Sequence, residues 1–127
     1  MDFDIGSNFT ISEGLSALSR TVDTYYTASI DHKGGIPASY FVSCGTWATS
    51  FVATLQHSAD GSTDWTDEAD TTYKNTVSVT LTEAGSGQIN CPNPRRRYTR
   101  VKVAVGGTNV FGVTNMKGPL DAIYPSS

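Results

Sequence analysis

The chain has 127 residues, of which 17 % are charged, and a formal net charge of -3; that length suits one domain able to bury a core without metal or disulfide support. A pI near 5.1 excludes a dedicated nucleic-acid binder, whose footprint is basic. No apolar run is long enough to span a bilayer.

Gly, Ser, Thr and Asn are plentiful, Thr, Val and Tyr outweigh the strong helix formers, and no window carries an i, i+3, i+4 apolar stripe. This composition predicts an all-β domain rich in turns. The N-terminus, MDFDIGSNFT, has neither a basic n-region nor an apolar h-region, which points to synthesis and assembly in a cytoplasm.

Residues 1 to 20 carry apolar Phe3, Ile5, Phe9, Ile11, Leu15 and Leu18, with Gly6, Gly14 and serines breaking any period. Two readings stand side by side: an edge strand, or an extended arm that orders on a partner. The first clear strand spans Thr21 to Ile30, with Val22, Thr24, Tyr26, Ala28 and Ile30 on one face. The glycines and proline of Asp31 to Pro37 mark a loop, and Ser39 to Cys44 reads as a short strand broken at Gly45-Thr46.

Phe51 to Gln56 has the alternation of a central strand, with Phe51, Ala53 and Leu55 on one side. Ser58-Ala59-Asp60-Gly61-Ser62 supplies the turn that follows, because Asp bonds its own backbone and Gly accepts positive φ. Trp65 is expected to return over that turn, and His57 to lie at the sheet edge. Within Thr71 to Leu81, Val77, Val79 and Leu81 face inward against Thr76, Ser78 and Thr80. Gly85-Ser86-Gly87 reads as a turn and Gln88 to Cys91 as a brief strand stopped by Pro92 and Pro94. Arg97 to Val105 is the cleanest strand: Thr99, Val101, Val103 and Val105 point inward, and Tyr98, Arg100 and Lys102 outward. Val110 to Val113 completes a hairpin, and Gly118-Pro119 and Pro125 end the sheet.

Seven or eight short strands without a crossover helix predict a single antiparallel β-sandwich, jelly-roll-like. Its expected boundaries are an arm over 1–20, the sandwich over 21–116 and a tail over 117–127. Cys44 and Cys91 lack a neighbouring histidine or CxxC spacing and read as small buried residues rather than metal ligands. A disulfide between them is the minority reading.

Candidate chemistry is sparse, and no cofactor, metal or catalytic set is expected. His32 and His57 stand alone in sequence, and His57 and Ser58, as strand neighbours, point to opposite faces. Asp60, Asp64, Asp67, Glu68 and Asp70 match no calcium-loop spacing and read as a solvated acidic loop. Arg95, Arg96, Arg97 and Arg100, with Lys102, form the single basic cluster, either a partner interface or a solvated strand entry. Tyr25, Tyr40, Trp47, Trp65, Tyr73 and Tyr98 are candidates for a sugar-stacking platform or an oligomer interface.

Ser58 to Trp65 resembles the Asp-box turn of propeller blades, in which the Asp caps a hairpin and the Trp packs beneath; here Asp64 intervenes between Thr63 and Trp65. More broadly, LQHSADGSTDWTD (Leu55 to Asp67) followed by RYTRVKV (Arg97 to Val103) is similar to small structural proteins of tailed bacteriophages, and most to capsid cement, or decoration, proteins. The resemblance covers about residues 50 to 105. It implies a non-enzymatic, trimeric β-sandwich on the outer surface of a phage head, with the major capsid protein as partner. On that implication Phe3, Ile5, Phe9, Leu120 and Tyr124 would clamp the shell and Arg95, Arg96, Arg97 and Arg100 would meet its acidic surface. A tail or receptor-side accessory domain and a carbohydrate-binding module are the alternatives; neither a membrane nor a specific nucleic acid is an expected partner.

Overall fold

A computed structural model describes residues 10–20, 23–33, 35–47, 50–69 and 75–118. Their ten strand segments are β1 (Thr10–Arg20), β2 (Asp23–Tyr26), β3 (Ile30–Asp31), β4 (Ala38–Thr46), β5 (Phe51–Ser58), β6 (Thr66–Asp67), β7 (Ser78–Leu81), β8 (Gly85–Cys91), β9 (Tyr98–Val105) and β10 (Asn109–Lys117). Every pairing is antiparallel.

One sheet has the order β1-β10-β4-β8. The other has β2-β9-β5-β6, with β3 alongside β2 on β9 and β7 alongside β6 on β5. Counting β2/β3 and β6/β7 as two interrupted strands gives eight strand positions in two four-stranded sheets; apart from the β5–β6 hairpin, each connection crosses between the sheets, including β9 to β10 where the sequence suggested a hairpin. This is a jelly roll, as the spacing of the strands predicts. We call the β1-containing layer the first sheet and the β5-containing layer the second.

The core lies between the sheets, where alternate residues meet. Tyr40, Val42 and Cys44 of β4 with Ile89, Phe111 and Val113 face Phe51, Ala53 and Leu55 of β5 and Val101, Val103 and Val105 of β9. Phe111 sets its ring edge-on to Phe51 at 5.1 Å and to Tyr25 at 5.8 Å. The strict alternation of burial along β9 is the one read from its sequence. Cys44 and Cys91 are both buried free thiols.

Several sequence-based boundaries move. From Thr10 onward, the arm expected over 1–20 is an edge strand, paired antiparallel with β10. Register shifts between Glu13 and Leu15 and between Leu15 and Leu18 break its period-2 pattern, which is why the sequence looks aperiodic. At the other end β10 runs to Lys117 instead of stopping at Val113. The single face expected along the first predicted strand is split as well: Tyr26 and Ala28 are exposed and Ile30 is buried. Tyr25 packs on the core and Tyr26 faces out, because the strand breaks after Tyr26, where Thr27 bonds both the carbonyl and the amide of Val101.

Gly85-Ser86-Gly87 is strand, not turn. A Cβ on Gly87 would lie 2.6 Å from Val79 of the opposite sheet, so the glycine serves close approach of the two layers. His57 is not at a sheet edge. β5 is flanked on both sides and His57 is buried, with Nδ1 lacking a hydrogen-bond partner among the described residues.

A buried polar chain links the two sheets. The Tyr40 hydroxyl lies 2.8 Å from Thr99 Oγ1, Thr99 Oγ1 lies 2.6 Å from His32 Nε2, and His32 Nδ1 lies 2.7 Å from the Ile36 carbonyl. A carbonyl only accepts, so Nδ1 carries the proton and Nε2 accepts from Thr99, which leaves Thr99 to accept from Tyr40. The donors therefore run one way, Tyr40 to Thr99 to His32 to Ile36. Burial pushes the His32 pKa down and, more than any other effect, pushes the Tyr40 hydroxyl far up.

Thr99→Val keeps the shape but leaves the Tyr40 hydroxyl without an acceptor and His32 Nε2 without a donor. It should cost about 1–3 kcal/mol in urea denaturation for each orphaned group, whereas Thr80→Val on the exposed side of β7 should be near neutral. The pKa values of both His32 and His57 are lowered, chiefly by burial, so the unfolded chain takes up their protons first as pH falls. The stability that neutral histidine confers should be complete above about pH 6.5 and decline as pH falls from there through the folded pKa values. A melting temperature that stays flat from pH 7 to pH 5 would contradict this assignment.

Candidate functional site

Three surfaces carry the residues singled out in the sequence. The first is the turn after β5 and the outer face of the second sheet beside it. Ser58 Oγ accepts from the amides of Asp60 and Gly61, and lies 2.6 Å from the Thr63 carbonyl, to which it donates. Asp60 Oδ1 accepts from the amides of Ser62 and Thr63, and Oδ2 from the Thr63 hydroxyl. These donors hold the Asp60 carboxyl far below the usual carboxylate range. Asp60 is thus the cap that the motif predicts, and Asp64, the residue the motif lacks, takes the left-handed conformation at φ 56°.

The packing partner differs from the expectation. The Tyr98 ring lies against Gly61, where a Cβ would come within 2.9 Å of it. Trp65 leaves the turn and stacks on Arg100. The Arg100 guanidinium carbon lies 4.3 Å from the Trp65 ring and 4.0 Å from the Tyr26 ring, a cation between two aromatic faces. Arg100 Nε also donates to Gln56 Oε1, Gln56 Nε2 donates to Asp67 Oδ1, and Lys102 Nζ donates to both Asp67 oxygens. The Gln56 and Lys102 bonds hold the Asp67 carboxyl below its ordinary pKa. Pairing of Arg100 with Gln56 on β5 and of Gln56 with Asp67 on β6 builds this row across three strands. Trp47 does not join it; its indole donates to the Leu81 carbonyl at the sandwich margin.

The second surface is a cleft of about 330 Å³ between the β3–β4 and β8–β9 loops, lined by His32, Lys33, Gly35, Pro94 and Arg95 to Arg97. The arginine cluster of the sequence divides here. Arg95 pairs with the buried Glu68 at 2.7 Å, and Arg97 grips Asp31 through two bonds of 2.9 Å, while Arg100 stands apart on the second sheet. The Arg97 pairing lowers the Asp31 pKa. The predicted acidic loop is likewise dispersed: Asp60 caps, Asp67 bridges to Lys102, and Glu68 lies buried against Arg95. Asp70 lies outside the described residues.

The third surface is the outer face of the first sheet. A shallow groove of about 510 Å³ runs over it, floored by Gly112 and flanked by Ile11, Glu13, Ser43, Val110 and Thr114. Ile11 is 59 % exposed, and Phe41, paired with Thr114 next to the groove, is 41 % exposed. Leu18 on the same edge strand is also exposed. Sequence reasoning named neither Phe41 nor the groove. The signal available was the outward phase of β4, where Phe41 sits between inward Tyr40 and Val42. The predicted contact residues Phe3, Ile5, Phe9, Leu120 and Tyr124 lie outside the described residues, as does Tyr73.

No protein-family model and no curated protein matches the sequence. Among solved structures, the chain is similar to PirA, at 14 % identity over 88 % of this chain and 94 % of that one with a TM-score of 0.42. It is similar to a structure described as Bacillus endospore appendages that form a family of disulfide-linked pili, at 13 % identity over 94 % and 97 % with a TM-score of 0.44. A third is chitosan-binding module 1 of a chitosanase/glucanase from Paenibacillus sp. IK-5, at 15 % identity over 91 % and 98 % with a TM-score of 0.41.

Proposed function

We propose that this chain is a non-enzymatic structural protein of a virion, a cement protein that docks on the outer surface of a phage head and bridges major capsid protein subunits as a homotrimer. The observation that carries this reading is the outer face of the first sheet. Ile11 and Phe41 stand exposed there around the groove. The outer face of the second sheet, by contrast, meets its own polar needs through Arg100, Gln56, Asp67 and Lys102. Exposed apolar side chains grouped on one face of a sandwich are what a docking surface presents. The sequence resemblance supports the same reading through Leu55 to Asp67 and Arg97 to Val103. Their structural counterparts are the Ser58–Asp60 turn and the central strand β9. Docking on assembled shell alone would stabilise it by mass action, and the capsid surface is the expected location.

Shells assembled from the major capsid protein of the genome that encodes the chain should sediment with the wild type. Phe41→Asp, which places a charge on the docking face without touching the core, should weaken that binding by about tenfold or more with an unchanged melting temperature. Undiminished co-sedimentation of Phe41→Asp would remove the first-sheet face from the proposal.

A second reading, a carbohydrate-binding module, has one observation in its favour: Tyr26, 46 % exposed, stands beside Arg100 and the Gln56–Asp67–Lys102 row. An aromatic face next to planar polar groups suits a sugar ring. This reading expects saturable quenching of Trp65 fluorescence by soluble glycans, lost in Tyr26→Ala. A flat titration across chitosan, galactan and glucan oligomers would exclude those glycans as ligands.

A further inference from the structure

The cleft between the β3–β4 and β8–β9 loops has a construction that neither the turn nor the apolar face shares. Each wall is fixed by its own buried anchor. On one side, the His32 ring is clamped between Thr99 and the Ile36 carbonyl, its amide donates to the Arg97 carbonyl, and the Gly35 amide closes back onto the His32 carbonyl. On the other side, buried Asn75 holds Asn93 by two bonds, from its Nδ2 to the Asn93 carbonyl and from the Asn93 amide to its Oδ1. Arg95 is tied to Glu68, whose side chain is 1 % exposed. Loops that carry charge are ordinarily mobile, and ordering them on binding lowers affinity. Here both walls are already set.

The charge in the cleft is not balanced. Lys33, Arg95, Arg96 and Arg97 line it. Glu68 and Asp31 neutralise Arg95 and Arg97, while Lys33 and Arg96 are exposed, and the three ion pairs among the described residues involve neither. Two positive charges therefore stand uncompensated in a chain whose net charge is -3. We infer that this cleft is a preformed binding site for a carboxylate-bearing polypeptide segment, an acidic loop or terminus of a protein partner, received by Lys33 and Arg96 between the two fixed walls. Arg96 presents a planar fork that matches a carboxylate, and Lys33 a compact charge opposite it. The acidic remainder of the chain favours a short acidic segment over nucleic acid. A polyanion longer than the cleft would have to extend along a chain whose net charge is -3. The inference narrows the expectation that the arginine cluster meets an acidic partner to Lys33 and Arg96 in a preformed cleft, and its test does not touch the first-sheet face, so either can fail alone.

The test is fluorescence anisotropy of labelled hexaglutamate with the full chain at low ionic strength. Hexalysine and oligothymidylate serve as parallel probes. The expected result is saturable binding of hexaglutamate, weakened by added salt and weakened about tenfold or more, the effect of losing one charge-assisted contact, in Lys33→Gln and in Arg96→Gln. Lys102→Gln, a cation outside the cleft, should change it less than about twofold. Both cleft positions are exposed, and matching melting temperatures check that each variant is folded. Absence of hexaglutamate binding, an equal loss in Lys102→Gln, or tighter binding of oligothymidylate than of hexaglutamate would each overturn the inference.

Discussion

The hydrogen-bond chain from Tyr40 through Thr99 and His32 to Ile36 ties the two sheets and a surface loop into one object. Tyr40 belongs to the first sheet, Thr99 to the second, and His32 to the loop that walls the cationic cleft. Apolar packing is non-directional and would hold Phe51, Phe111 and the valines of β9 together at more than one relative position of the layers. A donor chain that runs one way between buried groups admits far fewer, because any slip orphans a hydroxyl or an imidazole nitrogen. The same chain fixes the neutral His32 tautomer. The cleft above it inherits that rigidity through the His32 amide and its bond to the Arg97 carbonyl.

Much of the fold was legible because strand period and turn chemistry are local. The alternation of β9 and β5, the turn capped by Asp60 and the all-β composition are written residue by residue. What was not legible depends on distant partners. The bulges of β1 exist because β10 is its neighbour, and they erase the alternation that would have marked residues 10–20 as strand. Gly87 looked like turn chemistry because nothing local reveals that Val79 approaches it from the other sheet. Tyr25 and Tyr26 exchanged roles for a similar reason: Thr27, which ends their strand, bonds Val101 far along the chain.

The sites divide in the same way. The basic cluster was visible as a run of arginines, but its division was not. Arg95 and Arg97 are occupied by Glu68 and Asp31, Arg100 is sandwiched between Tyr26 and Trp65, and Arg96 is left facing the cleft with Lys33. Trp65, expected over the turn, stacks on Arg100 instead, and the outward Tyr98 packs against Gly61 of the turn. Phe41 was an ordinary outward residue in sequence and gained interest only from the groove beside it. A run of like residues thus says little about a surface until the fold assigns each one a partner.

The pairing of β1 with β10 also bears on how the protein comes to be made. The first described strand finds its place only against the last described one, with Thr10 opposite Lys117, so the first sheet cannot close until β10 has left the ribosome. Until then β1 waits with its backbone unpaired, which in a regular strand is an invitation to join a neighbouring nascent chain. Its two irregularities make it a poor template for such a partner. The loss of sequence regularity that obscured β1 as a strand is, during synthesis, a guard against mispairing over the slow closure of a contact so distant in sequence.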